Sequence, residues 1–174
     1  PVLYLSQGQE SSINTDLLET IIVSDARSFA QDPRFCLSVM AEIACRALSP
    51  AVNDPGTAID VIGRGVRILS TYAQNKSDEI EVKYPSVHVA PLQNNDLLED
   101  FFSPVARDGA GMREIQIRVL KGLSMLSKGW PGIFSEAAHN LAFETLEHAT
   151  RADHINSEKY LIKSIYYNLF GGED

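Results

Sequence analysis

Nowhere in the 174 residues does an apolar run reach the roughly 18 needed to cross a bilayer as a helix. Cysteine is nearly missing. Cys36 and Cys45 lie in one helical pattern at a spacing that puts them on almost opposite faces, too divergent to bridge. With no CxxC and no secretory leader, no disulfide framework is expected; two buried free thiols fit a reducing compartment. Eleven Gly, eight Pro and 44% hydrophobic residues exclude collagen-like, coiled-coil and disordered classes. Cations are scarce as well: 15 Lys+Arg stand against 23 Asp+Glu, a net charge of −8. That balance opposes the counterion-release binding that nucleic acids and anionic lipid surfaces reward, so no nucleic-acid partner is expected. Nucleophile elbows, Walker loops and dinucleotide loops are absent, and Gly63-Arg64-Gly65 sits inside a helical pattern with no preceding strand.

What is present reads as one acidic globular domain over residues 1–174, soluble as it stands. It begins at Pro1 with no initiator Met and enters a strand-like Val2–Leu5 at once, in the manner of a piece excised from a longer protein. A polar turn (6–12) and an apolar stretch (Leu17–Val23) follow. Asp32-Pro33 then supplies an N-cap and a proline at N1, and Phe35, Cys36, Val39, Met40, Ile43, Ala44, Ala47 and Leu48 form an apolar stripe, the expected spine of the core. Pro50 ends that helix at Ser49. Asp54-Pro55 repeats the start, with Ala58, Ile59, Ile62, Val66, Leu69 and Ala73 as the next stripe; Gly63 and Gly65 within it imply a tight helix contact. Residues 75–95 turn polar, with strand-like pieces around Pro85. Further helices are expected from Leu97 to Val105, broken near Pro104, then from Met112 to Lys128, from Ile133 to Ala152, and from an Asn156 cap to Phe170, closed by Gly171. The fold class is mainly α, a bundle of five to six helices with a small β contribution at the N-terminus and around residues 80–90.

The polar groups concentrate at the corner between the first two helices. Helix two begins with unpaired N–H groups and the positive end of its dipole. Arg46 lies beside that start, with Ser49, Asn53 and Thr57 adding donors, so the corner could hold a phosphate or a carboxylate. Local structure accounts for the same residues: Asp54 as a cap, Asn53 in an Asx turn, Arg46 paired with Glu42 at i, i+4.

Three stretches, Arg27-Ser28-Phe29-Ala30-Gln31-Asp32-Pro33-Arg34-Phe35, Glu42 to Pro50 and Asn53-Asp54-Pro55-Gly56-Thr57-Ala58, carry a resemblance. They resemble a family of predicted bacterial integral membrane proteins of unknown function, with the patterns R-T-x-x-Q-D-x-x-F-G and D-I-A-x-R-A-L-S-P-G-I-N-D-P-x-T-A. The likeness is strong over residues 15–75 and loose over the C-terminal helices. Ser28, Cys36, Glu42 and Ala51-Val52 depart mildly from the pattern, and a Gly serving a positive φ where Ala51 stands would alter the loop. The resemblance implies N-terminal transmembrane helices, a soluble C-terminal domain corresponding to this chain, and a bacterial inner-membrane location; the free thiols and the lack of a disulfide framework favour the cytoplasmic side for the domain. It also implies candidate ligand-binding residues: Arg27, Asp32, Arg46, Ser49, Asn53, Asp54 and Thr57.

Glu136 and His139 (i, i+3) and Glu144 and His148 (i, i+4) share helix faces, half of a di-iron arrangement whose second half the sequence does not supply. No metal and no cofactor is therefore expected. His148 and His154 fit favourable placements near a helix end. Phe101-Phe102 reads as core, or else as an exposed contact. The functional expectation is a non-enzymatic ligand-binding or assembly module with an anion or partner site from Arg46 to Thr57, homo-oligomeric around its own transmembrane segment. The alternative is a hydrolase-like enzyme using Asp32 or Asp54, with Arg27 and Arg46, on an anionic substrate. Aspartates pinned as helix caps would count against that alternative; a fully buried corner would favour a purely structural scaffold.

Overall fold

Asp32 and Pro33 start the first long helix as their chemistry dictates: the Asp32 carboxylate accepts from the Phe35 N–H at 3.0 Å and Pro33 occupies the first helical position. The structure is a computed structural model that describes residues 4–5, 25–29, 32–76, 87–88 and 90–171. Helix α1 (Pro33–Leu48) and helix α2 (Pro55–Gln74) form a hairpin. They are followed by α3 (Asn94–Asp108), α4 (Arg113–Gly129), α5 (Pro131–Arg151) and α6 (Asn156–Phe170). Among the described residues the β content is one antiparallel pairing of β1 (Tyr4–Leu5) with β2 (Val87–His88), Tyr4 opposite His88 and Leu5 opposite Val87. The fold is mainly α. The expected polar turn at 6–12, the apolar stretch at 17–23 and the strand-like residues 80–84 lie outside the described residues.

The centre of the bundle is α4, which packs on α2, α3, α5 and α6. Its Ile115, Val119, Leu120, Leu123 and Leu126 are all fully buried, and among the described residues the buried apolar side chains form one cluster around it. The expectation that α1 is the spine is therefore corrected. Helix α1 buries Leu37, Ala41, Ala44, Ala47 and Leu48, a mostly alanine face against α2 and α3, while Met40 is half-buried and Ile43 exposed. The buried stripe is rotated from the expected one because the small side chains let neighbouring helices approach closely, leaving the bulkier residues on the outer flank. The α2 stripe is as expected, with Ala58, Ile62, Val66, Leu69 and Ala73 buried and Ile59 packed at the edge.

Three boundaries differ from expectation. Helix α3 runs unbroken through Pro104, since burial of Phe101, Phe102, Val105 and Ala106 on either side outweighs one missing N–H. Trp130 closes α4, its N–H donating to the Leu126 carbonyl at 3.0 Å, and at once opens α5, so the chain reverses within a single residue. Asn156 is the first residue of α6, with Ile155 at the cap position. The Phe101 and Phe102 rings meet edge to face at 4.9 Å inside the core, so they make no external contact.

Candidate functional site

The seven candidate residues fall into two groups at opposite ends of α1, a helix of 16 residues. At 1.5 Å per residue that is about 24 Å. One group is Arg27 with Asp32, whose Nε–Oδ2 distance is 2.7 Å. The Arg27 guanidinium also stands 5.0 Å from the centre of the Phe35 ring, which stacks on Phe29. The Arg27 hydrogen bond, helped by the Phe35 N–H, holds the Asp32 carboxyl below its usual range despite some desolvation.

The other group is the α1–α2 corner: Arg46, Ser49, Asn53, Asp54 and Thr57, all exposed except the half-buried Ser49. Its backbone is internally satisfied. The Ser49 carbonyl accepts from the N–H groups of Val52 at 3.0 Å and Asn53 at 2.8 Å, and the Ala47 carbonyl accepts from Asp54 N–H at 2.8 Å. Pro50 and Ala51 thus sit at the centre of a turn. Asn53 takes φ 50, the left-handed conformation that asparagine tolerates better than most residues. Among the described non-glycine residues it alone has a positive φ, so the loop does not differ at Ala51 through a strained left-handed backbone.

Most of the corner's donors are already committed. Asp54 accepts from the Thr57 N–H at 3.0 Å and from the Thr57 hydroxyl at 2.6 Å. Those two bonds lower its pKa, the hydroxyl first. The Ser49 hydroxyl donates to the Arg46 carbonyl at 2.7 Å. What points outward without an ion pair among the described residues is the Arg46 guanidinium; the expected pairing with Glu42 is not formed. Both aspartates are helix caps with depressed pKa values, pinned rather than poised. The corner is exposed rather than buried.

Cys36 and Cys45 are free and half-buried rather than fully buried. Burial, with a contribution from Asp108, pushes the Cys45 thiol up to about 12. The Glu144 and His148 side chains approach to 3.4 Å, while His139 Nδ1 lies 2.8 Å from the Ser135 carbonyl. Among the described residues no group of three or more His, Cys, Asp or Glu gathers.

Sequence reasoning missed two clusters. Arg34 of α1 reaches α3, making two bonds to Asp100 (2.6 and 3.0 Å) and one to Asp96 (2.6 Å); these carboxylates push its pKa up. The signal was present in Asp96 and Asp100, two like charges at i, i+4 that need a cation between them. The second is His154, buried between α5 and α6. Its Nε2–H donates to the Ala110 carbonyl at 2.8 Å and its Nδ1 lies 3.4 Å from Glu158, which in turn meets Arg113 at 3.3 Å. His154 therefore closes the loops of the bundle on one another rather than merely sitting at a helix end.

A family model described as "Predicted membrane protein (DUF2254)" matches residues 1–125, from β1 into α4. Three mycobacterial proteins, each named as uncharacterized, are 51% identical over 45 residues: Mb1321c of Mycobacterium bovis, and MT1328 and Rv1290c of Mycobacterium tuberculosis. That stretch is 26% of this chain and 9% of each relative's length. No solved structure matches the chain. Among the described residues no helix is long and apolar enough to cross a membrane.

Proposed function

The chain belongs to the DUF2254 family of predicted membrane proteins, and we propose that it serves there as a non-enzymatic interaction and assembly module. In this reading the full-length protein sits in a bacterial inner membrane through N-terminal transmembrane helices. The domain is cytoplasmic, as its two free thiols favour, and the protein is homo-oligomeric. The contact is the α1–α2 corner, and its recognition element is Arg46, with Asn53 beside it and Ser49, Asp54 and Thr57 holding the turn.

One observation carries this reading: the outward Arg46 guanidinium, without an ion pair among the described residues, on a chain with eight excess negative charges. Such a group accepts a carboxylate from a second acidic copy, or a small anion, in bidentate geometry. The α2 N-terminus contributes little to a free anion, because the Asp54 carboxylate already occupies it. The hydrolase alternative loses its support for a related reason: Asp32 and Asp54 are bound to the first turns of their own helices, whereas a general acid or base needs a carboxyl free to meet substrate.

Sedimentation velocity tests the proposal. The chain is expected to self-associate with rising concentration, and Arg46→Glu to remain monomeric with unchanged circular dichroism. If wild type and Arg46→Glu sediment identically, and phosphate titration leaves the amide signals of residues 46–57 unmoved, the corner is not a contact.

A further inference from the structure

Two open grooves flank the exposed ridge of α2, and neither involves the Arg46 corner. One, about 560 Å³, runs along α1, with Ile43 and Ile68 on its walls and Asp60, Arg64 and Arg67 at its edge. The other, about 530 Å³, runs along α4, with Leu161 of α6 beside Arg113, Glu114, Arg118 and Lys121. The two linings carry five cations against two carboxylates, while the whole chain carries 15 against 23. Outside the two linings the described residues carry nine Lys+Arg against thirteen Asp+Glu, so among the described residues this face is basic and the rest acidic.

Its cations are also available. Asp60 pairs with Arg64 at 2.7 Å and Arg113 with Glu158 at 3.3 Å, but Arg67, Arg118 and Lys121 form no ion pair among the described residues. The Arg118 guanidinium lies across α2 at Gly63, 2.9 Å from where a Cβ would stand, which keeps it at the ridge between the grooves. Between these charges three large aliphatic side chains stand in the open: Ile43 is 48% exposed, Ile68 42% and Leu161 41%.

We propose that this α1–α2–α4 face rests on an anionic lipid bilayer. Arginine and lysine heads meet lipid phosphates while isoleucine and leucine reach the headgroup boundary, the composition that interfacial contacts use. Membership of a predicted membrane protein family puts a bilayer within reach. Among the described residues the excess of carboxylates lies away from this face and is repelled by the same surface, which favours the orientation with α2 toward lipid.

Vesicle flotation of the 174-residue chain at low ionic strength tests this, using phosphatidylcholine alone against an equal mixture of phosphatidylcholine and phosphatidylglycerol. The chain is expected to float with the mixed vesicles, not with the neutral ones, and to be released in about 1 M salt, where the screening length falls to about 3 Å. Arg67→Glu with Lys121→Glu should cut binding at least tenfold. Arg151→Glu with Lys163→Glu, on the α5–α6 side, should leave it unchanged. All four residues are exposed, so folding is not at stake, and circular dichroism verifies it. Failure to float with the mixed vesicles, equal loss in the two double variants, or use of Arg67 and Lys121 only for binding a second copy or duplex DNA would overturn the proposal. Arg46→Glu is expected to float as wild type does, so this result and the sedimentation result fail separately.

Discussion

Asp32 and Asp54 show how much one side chain can settle. Each binds the backbone N–H three residues on, and each has its pKa lowered, Asp32 chiefly by Arg27 and Asp54 chiefly by Thr57. A carboxyl whose folded pKa lies below its unfolded one stabilises the fold above the unfolded value, and that contribution is lost as pH falls through the folded value. The unfolded reference here is 3.8. Asp54 is exposed and Asp32 only half-buried, so solvent screens the effect and the slope is modest. Urea midpoints should be flat from neutrality to about pH 5 and fall below about pH 4. The double variant Asp32→Asn with Asp54→Asn still caps but does not titrate, and should fall less steeply; an equal slope would contradict the assignment. These caps were legible in the sequence because their partners lie three residues away. Arg34 was not, because Asp96 and Asp100 are 62 and 66 residues distant and only the tertiary fold brings them to it.

Elements were legible where one helical period decides them and obscure where neighbours do. The α2 stripe needed only its own spacing. The face of α1 could not be read that way, since apolar residues surround much of the helix and only contact with α2 and α3 selects the alanine side. Pro104 was misleading for the same reason: packing of α3 overrides a local preference. Gly63 and Gly65, two residues apart, separate packing from surface. A Cβ at Gly65 would collide with the buried Phe101 ring, whereas one at Gly63 meets only the end of the Arg118 side chain. Gly65→Ala should therefore cost about 1–3 kcal/mol through overpacking. Gly63→Ala should be neutral or gain up to about 1 kcal/mol in helix propensity, since Arg118 can swing aside. Thermal melts compare the two; equal losses would mean that the Phe101 contact does not decide.

At the scale of the whole molecule, the −8 total conceals a distribution. Net charge argued against lipid and nucleic acid alike, yet the folded chain gathers Arg64, Arg67, Arg113, Arg118 and Lys121 around one helix. Composition could not show this, because α2 and α4 become neighbours only in the bundle. The candidate site suffered the reverse error: residues that share a sequence pattern, Arg27 and Asp32 with Arg46 to Thr57, are held at opposite ends of α1. The central claim is that the α1–α2 hairpin and adjoining α4 form the working face of the domain. Paramagnetic broadening of the amide signals by a gadolinium-bearing headgroup lipid, in small phosphatidylcholine–phosphatidylglycerol bicelles, tests it most directly. Broadening should be strongest at Arg64, Arg67, Ile68 and Lys121 and weakest at Phe143 and Tyr167 of α5 and α6; the opposite ranking, or uniform broadening over the whole chain, would contradict it.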